Sequence, residues 1–554
     1  MNKLFFTKND IRKQFAVMIA IFSVIVKLVL TYGQFATIYP PLAPIDDDLM
    51  FTLAQNIANG NWLGEYGYLT LSKHAFFAVW LAFVHKTGIP YLIANMLLWS
   101  VAGLAMTMAV SPALRKNWQK LLLFLFLLYN PAQSAQYATR IYRDAIFPSL
   151  CVFFFAGIVG IGLRYRNEIK SWIIWLLMYG TAFGCIYLCR EDGMWVIPFF
   201  AVAFVIVTFL LIKEKAKYRV AKITLMVMPF AISCAMICGY SYMNYIHYGR
   251  FIVSDFTSGE FVSAYGALTG LEQDEWNPIV AVPEDVRQDV YREAPVFAPV
   301  EEALKNPLLM EGYYNKGLKD FQSGSFYWAL RTALSNLGYY ETPQMAQRYY
   351  EQLTEEIQTA VNEGRLKTSN GKTKLRKSVT PPIKPQYVPD VLSETFAGFK
   401  AVILFEQCSP YAEKAVGYPE EIKEVEEFIH TQGDTGYVEG TDISYMSPAR
   451  KILHVCLETV AFLYKISVPI MFIIAIFWQI KKFRTDISKK EFDMDSMANI
   501  IMLGLLGMAL LRCAMIAFVE VSSFGIGTYV MYLSTVHPLI ITYSLIGFCK
   551  TFDF

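Results

Sequence analysis

Three short polar stretches of the sequence contain residue types that could do chemistry. The first is Asp46-Asp47-Asp48, and no basic residue lies between Gly33 and Lys73. The second is Y-A-T-R-I-Y-R-D-A-I, with Arg140, Arg143 and Asp144, and the third is C-R-E-D-G-M-W, with Arg190, Glu191 and Asp192. A carboxylate can remove a proton from a hydroxyl group. Arginine and lysine can bind phosphate oxygens and stabilise charge on a departing phosphate.

Each stretch also has a purely structural interpretation. An acid before an apolar run often caps a helix, which would account for Asp144 and for one residue of the Asp46–Asp48 triplet. Arg190, Glu191 and Asp192 would then form a local ion-pair turn. Capping does not account for three adjacent acids, because like charges repel unless a cation shares the site.

The composition predicts a membrane protein. Hydrophobic residues make up 55% of the chain and charged residues 17%, against about 45–50% and about 25% in soluble domains. The basic N-terminal segment leads into a long apolar run without a small-residue cleavage site, so we interpret it as an anchor rather than a signal peptide.

Ten apolar segments are predicted to cross the membrane as helices. They span residues 14–32, 91–110, 119–130, 144–163, 171–187, 195–212, 221–243, 452–478, 497–518 and 525–548. Loops rich in Lys and Arg stay cytoplasmic, which predicts cytoplasmic N- and C-termini in the cell (inner) membrane. The segments 33–90, 130–143, 188–194, 244–451 and 519–524 then lie on the periplasmic or extracellular face.

Residues 71–86 are apolar, but a crossing by them would not fit this alternation of cytoplasmic and outer loops. If they crossed the membrane, the basic loop at 111–120 and every later loop would change sides. The apolar part from Ala75 to Val84 is also short for a span. We therefore predict a juxtamembrane helix that lies on the outer surface.

The predicted organisation has three parts. Residues 1–243 form a seven-helix membrane module, residues 244–450 a mixed, mainly helical extracytoplasmic domain, and residues 451–554 a C-terminal three-helix segment. Within the domain, a helix is predicted to end at Gly364. The following residues 367–385, here called the basic linker, contain six basic residues and no acidic one, which is typical of a loop.

The three polar stretches are predicted to meet at the outer membrane interface. That placement suits transfer from a lipid-linked phosphate donor to a hydroxyl acceptor. Arg512 lies inside an apolar run, where a charged residue is a functional candidate by default. The alternative for Arg512 is snorkelling to the membrane surface.

Several of these motifs resemble those of GT-C-type glycosyltransferases, the group of protein O-mannosyltransferases and lipid A aminoarabinose transferases. The resemblance rests on D-D-D-L-M-F-T-L-A-Q-N-I-A-N-G-N-W-L-G, on L-S-K-H-A-F-F-A-V-W-L and on Asp144 of Y-R-D-A-I, within residues 1–243. His74-Ala75 stands where many relatives have Pro-Pro, and the W-W-D-x-G motif of oligosaccharyltransferases is absent. The resemblance implies a seven-helix module with juxtamembrane helices in its first outer loop.

The resemblance also implies residue roles. Asp48, or else Asp47, would be the general base of an inverting transfer, and Asp144 would support the site or help to hold a metal. The lipid phosphate and sugar would be bound by Lys73, Arg140, Arg143, Arg190, Glu191 and Arg512. The donor would be a polyprenyl-phosphate sugar and the acceptor a glycan, lipid or protein. Relatives differ in their use of a metal, so the resemblance leaves open whether Mg²⁺ or Mn²⁺ is required. No nucleic-acid partner is expected.

Three other functions stay open at this point. A transporter or flippase of lipid-linked substrates would need polar residues at mid-membrane and broken helices in paired halves. A polysaccharide polymerase or ligase would favour Arg/His-rich outer loops over an acid-rich one. A non-enzymatic scaffold would use the basic linker to bind polymer.

Overall fold

The computed structural model describes residues 8–38, 43–435, 446–489, 492–525, 527 and 530–552. Within these residues the protein is almost entirely helical, with one short antiparallel hairpin. The first half contains α1 (Lys8–Tyr32), α2 (Asp47–Ala58), α3 (Phe76–Thr87), α4 (Tyr91–Val110), α5 (Asn117–Leu128), α6 (Phe147–Gly162), α7 (Ile173–Cys189), α8 (Ile197–Lys213), α9 (Arg219–Val227) and α10 (Pro229–Tyr248).

The second half begins with helices that are short and mixed in polarity. It contains α11 (Glu260–Leu268), α12 (Glu284–Glu293), α13 (Val300–Lys305), the hairpin β1 (Tyr314–Asn315) and β2 (Asp320–Phe321), α14 (Ser323–Asn336), α15 (Pro343–Asn362), α16 (Val388–Ile403), α17 (Pro419–Ile429), α18 (Pro448–Lys489), α19 (Met494–Val519) and α20 (His537–Thr551). In the hairpin, Tyr314 pairs with Phe321 and Asn315 with Asp320.

Seven helical segments among the described residues are long and apolar enough to cross a membrane. They coincide with seven of the ten predicted crossings, so the fold class, a polytopic α-helical membrane protein, is confirmed. The other three predicted crossings coincide with α5, α6 and α20, which have 12, 16 and 15 residues. A straight span needs about 17 residues, and crossing by these three helices stays a prediction, as does the orientation of the chain.

Small residues allow the membrane helices to pack closely. A Cβ atom at Gly157 of α6 would lie 2.8 Å from the carbonyl oxygen of Trp175 and 2.7 Å from Cβ of Tyr179, both on α7. Close backbone approach at small residues is the usual basis of helix association in membranes. The 12-residue α3 packs against α2, and its predicted position at the membrane surface stays a prediction.

Buried side chains form two hydrophobic cores. The first core joins the membrane helices and includes residues from the 401–429 region, such as Phe405 and Ile429. The second core is built from residues 261–375, and its α15 ends at Asn362, two residues before Gly364, whose φ is +75°. The predicted domain 244–450 therefore contributes to both cores, and its boundaries stay a prediction. The basic linker forms no helix before Pro385.

Candidate active site

The three acids at the start of α2 point in three different directions. Successive helical residues are rotated by about 100°, so the side chains of sequence neighbours point to different parts of the structure. Asp46 immediately precedes α2 and makes no side-chain capping bond. Its carboxylate lines a large cavity, whereas Asp47 is buried and Asp48 is half-buried. Capping therefore does not account for Asp46.

Asp46 is held by cations and a phenol. Its carboxylate accepts hydrogen bonds from the Lys73 ammonium and from the Tyr142 hydroxyl, the latter at 2.9 Å. Arg140 Nη2 lies 3.9 Å from Asp46 Oδ2. Burial acts to raise the pKa of Asp46, but the charge of Lys73 and its hydrogen bond, together with Arg140, outweigh burial and hold this pKa at about 2. Asp46 is consequently a carboxylate at neutral pH.

Asp47 forms a buried ion pair with Arg140. Arg140 Nε donates to both carboxylate oxygens at 2.8 and 2.9 Å, and Nη2 lies 2.6 Å from Oδ1. Burial raises the pKa of Asp47 to about 6, although Arg140 opposes this shift. Such bidentate contacts fix the plane of the guanidinium. Asp47 thus positions Arg140 from behind and does not line the cavity.

Asp48 lies away from this cluster. Burial and the nearby charge of Glu421 raise its pKa, and its side chain does not line the cavity. The sequence-based choice of Asp48 as the base assumed that it faces Lys73. The structure places Asp46 at that position instead.

Arg143 and Glu191 form a second ion pair beside the first. Arg143 Nη1 lies 2.6 Å from Glu191 Oε2, and Arg143 Nη2 donates to the Tyr142 hydroxyl at 2.9 Å. The backbone N–H of His74 donates to Glu191 at 3.0 Å. Burial acts to raise the pKa of Glu191, but Arg143 outweighs it and holds this pKa at about 2. Tyr142 therefore touches both pairs.

Arg190 and Arg512 bind the remaining two acids. Arg190 Nη1 donates to both oxygens of Asp144 at 2.6 and 2.8 Å, and its Nε donates to Asp192 at 2.9 Å. Arg512 Nη1 donates to Asp192 at 2.6 Å from the C-terminal third of α19. Arg512 has no exposed surface, so it does not snorkel. Asp144 likewise pairs with Arg190 and caps no helix.

Five acids and five bases of this region form three neighbouring groups of ion pairs, which we call the ionic network. All nine site residues predicted from sequence except Asp48 belong to it. Its members are Asp46, Asp47, Lys73 and Arg140 in the first group, Arg143 and Glu191 in the second, and Asp144, Asp192, Arg190 and Arg512 in the third. Three polar loops far apart in sequence and one membrane helix are thereby brought together. Buried charges are tolerated because each one is paired.

Some donors of this region keep spare hydrogen-bonding capacity. Arg143 Nε, Arg512 Nη2 and Trp195 Nε1 are buried without a hydrogen-bond partner among the described residues. The Arg512 guanidinium lies 5.3 Å from the Trp195 ring. Unpaired buried N–H groups are energetically costly, and two of these three residues, Arg143 and Trp195, line a neighbouring cavity.

A cavity of about 1700 Å³ opens beside the network. Its wall includes Asp46, Lys73, Arg143 and Glu191 on one side, and side chains of the second core and of α19 on the others. Trp328 of α14 borders it, with its ring 5.1 Å from the Lys73 ammonium. The loop before α3, α19 and the second core thus meet around the cavity.

Sequence reasoning missed three members of this site. Asp46 was present in the triplet and Asp192 in the third stretch, but neither was singled out. Tyr142 carried no signal, because a tyrosine beside an arginine is common in any chain. Its role follows only from its contacts with Asp46 and Arg143.

The site does not fit a metal ion. Among the described residues, no group of three or more His, Cys, Asp or Glu side chains is placed to hold one. Each carboxylate of the ionic network is already paired with a cation. The Mg²⁺ or Mn²⁺ left open by the resemblance therefore has no ligand set among these residues.

Solved structures of ArnT from Cupriavidus metallidurans are similar to the chain. The structure in the apo state gives a TM-score of 0.32 at 12% identity, covering 96% of this chain and 78% of that chain. The structure bound to undecaprenyl phosphate gives 0.31 at 11% identity, covering 97% and 78%. At such scores the likeness carries no argument about the site. No protein-family model and no curated protein matches the sequence.

Proposed function

We propose that the protein is a membrane glycosyltransferase that moves a sugar from a polyprenyl-phosphate donor to the hydroxyl of a glycan, lipid or protein acceptor. The observation that carries this proposal is the Asp46–Lys73 pair on the wall of the cavity. It supplies a proton acceptor and a phosphate-binding cation side by side. The donor would lie with its lipid chain towards the membrane helices.

Asp46 acts as the general base in this proposal. Its carboxylate accepts the proton of the acceptor hydroxyl while the oxygen attacks the anomeric carbon and the phosphate leaves from the opposite face, which inverts the configuration. A carboxylate of pKa about 2 is a weak base. When the donor binds, the Lys73 ammonium leaves Asp46 and contacts the donor phosphate instead. The pKa of Asp46 then rises towards the range useful for catalysis.

The departing phosphate is stabilised by groups that are already in place. Lys73 and Arg143 line the cavity, and Arg143 Nε has no hydrogen-bond partner among the described residues. Fixed cations in a site that excludes water stabilise developing charge strongly. Glu191 and Tyr142 hold Arg143 in position.

Asp46→Asn, with Asp48→Asn as the matched control, tests the base. Both remove one carboxylate at the start of α2, but only Asp46 faces the cavity. Purified protein in lipid nanodiscs is given polyprenyl-phosphate sugars and a cell-envelope extract, and released polyprenyl phosphate is measured. We expect Asp46→Asn to slow transfer by about 10²–10⁴-fold and Asp48→Asn to stay near wild type. The reverse result would restore the sequence-based choice of Asp48.

A deletion strain distinguishes transfer from transport. Mass spectrometry of surface glycans is expected to show the loss of one sugar residue, which also names the sugar and the acceptor. Unchanged glycans together with accumulated lipid-linked intermediates would contradict the proposal and favour a transporter.

A further inference from the structure

Helix α16 carries an apolar stripe whose first three residues are left exposed by the protein. Val388, Leu392, Phe396, Phe399 and Ile403 follow one another at spacings of four and three residues, which places them on one face. The first three side chains are 52%, 53% and 66% exposed. An exposed apolar surface of this kind marks a binding face.

The face of α16 next to the stripe belongs to the protein interior. Thr395, Gly398, Ala401 and Val402 are buried there, and the helix packs mainly against α19, with further contacts to α18 and α20. Gly398 and Glu394 also border the large cavity. The helix is thus firmly attached, and its exposed stripe has a fixed direction.

The stripe lies beside a helix that is long and apolar enough to span a membrane. The Phe399 ring lies 6.0 Å from the Phe472 ring of α18, and Phe472 is inside the candidate span Pro448–Ser488. Phe472 itself is buried, whereas Ile470 and Ile473 on other faces of α18 are 53% and 54% exposed, as expected for side chains that meet hydrocarbon. Helix α16 therefore packs against α18 and α19, which are both candidate spans, and its exposed residues lie beside membrane-spanning segments.

We propose that α16 is an interfacial helix whose stripe binds the acyl chains of membrane lipid. The region was predicted from sequence to be part of a soluble domain, whereas this placement anchors it in the bilayer. Amphipathic helices bind membranes in this way, with the apolar face in the acyl region and polar residues at headgroup level. The exposed residue Lys400 flanks the stripe, the exposed Asp390 lies on the far side of the helix, and both would reach the headgroups.

Site-specific photo-cross-linking tests this placement on the full chain. p-Benzoylphenylalanine replaces Phe396, and the protein is irradiated in dioleoylphosphatidylcholine nanodiscs. Lipid adducts are then detected by intact-protein mass spectrometry. Ile473 on α18 is the positive reference. Leu308, which is 86% exposed in the second-core region, is the negative reference. We expect lipid adducts at 396 and 473, and at least a tenfold lower yield at 308.

Leu392 provides a second position on the stripe in case the variant at 396 does not fold. Adducts at 473 without adducts at 392 or 396 would overturn the proposal. A cross-link from the stripe to a second copy of the chain would also overturn it, because the face would then be a dimer interface. Equal lipid yields at 308 and 396 would show that the labelling has no relation to the stripe and would overturn it too.

Discussion

Asp46 and Asp47 are neighbours whose carboxyl groups have opposite pKa shifts. Burial raises the pKa of Asp47 to about 6, whereas Lys73 and Arg140 outweigh burial at Asp46 and hold its pKa at about 2. Divergent pKa values of adjacent acids are typical of sites where each acid has a separate task. Here Asp46 faces the cavity, and Asp47 fixes Arg140.

The titration of Asp47 predicts a pH dependence of transfer. Below about pH 6 the Asp47 carboxyl becomes neutral, the ion pair with Arg140 weakens, and Arg140 is no longer held near Asp46. We expect kcat/KM to fall as the pH drops through about 6. Asp47→Asn is expected to remove this inflection, and Asp48→Asn to keep it. A profile of Asp47→Asn with the wild-type inflection would contradict the assignment.

Unfolding does not account for such a loss, because Asp47 acts on stability in the other direction. Its folded pKa of about 6 lies above the value of about 3.9 for an unfolded chain. The folded state therefore binds more protons between these values, and lowering the pH across this window favours folding. A melting temperature that does not decrease between pH 7 and pH 5.5 would separate the two effects.

At the residue level, sequence patterns predicted the members of the site better than their roles. The three polar stretches do meet, because charged residues within or next to apolar segments need partners. The roles depend on side-chain direction, which a run such as Asp46-Asp47-Asp48 does not reveal. The residue at which α2 begins decides which of the three acids faces Lys73.

At the level of elements, the long apolar segments were predictable and the contacts between helices were not. Seven candidate spans match predicted crossings, since composition alone identifies a helix that lies in lipid. The position of α16 against α19 had no sequence signal, because its exposed and buried faces are both largely apolar. Tertiary packing, rather than periodicity, decides such cases.

The contact between α6 and α7 gives a prediction at this level. Gly157→Ala would place a Cβ atom 2.8 Å from a backbone oxygen of α7, and overpacking of this kind costs about 1–3 kcal/mol. We expect a lower melting temperature in nanodiscs. Gly239→Ala on α10 is the matched control, since nothing lies within 4 Å of its added Cβ. Equal melting temperatures for both variants would contradict close packing at Gly157.

At the level of the whole molecule, the second core is attached to the loop between α2 and α3 by buried polar contacts. A buried ion pair between Arg331 and Asp255 lies at this junction. Arg331 of α14 donates to the carbonyl oxygen of Tyr68 at 2.7 Å and to Asp255 at 3.1 Å, and the backbone N–H of Asp255 donates to Leu71 at 2.8 Å. Lys73 lies two residues after Leu71, so this contact also positions the proposed phosphate-binding lysine.

Breaking that contact should loosen the second core and reduce transfer together. Arg331→Gln leaves Asp255 buried without its cation, which costs about 3–5 kcal/mol. We expect faster limited proteolysis within residues 261–375 and a higher KM for the donor. Arg292→Gln is the control, because Arg292 pairs on the exposed side of α12. Arg331→Gln/Asp255→Asn should regain part of the protease resistance, since no buried charge is left. Unchanged proteolysis in Arg331→Gln would mean that other contacts hold the two cores together, and Lys73 would then need another explanation for its position.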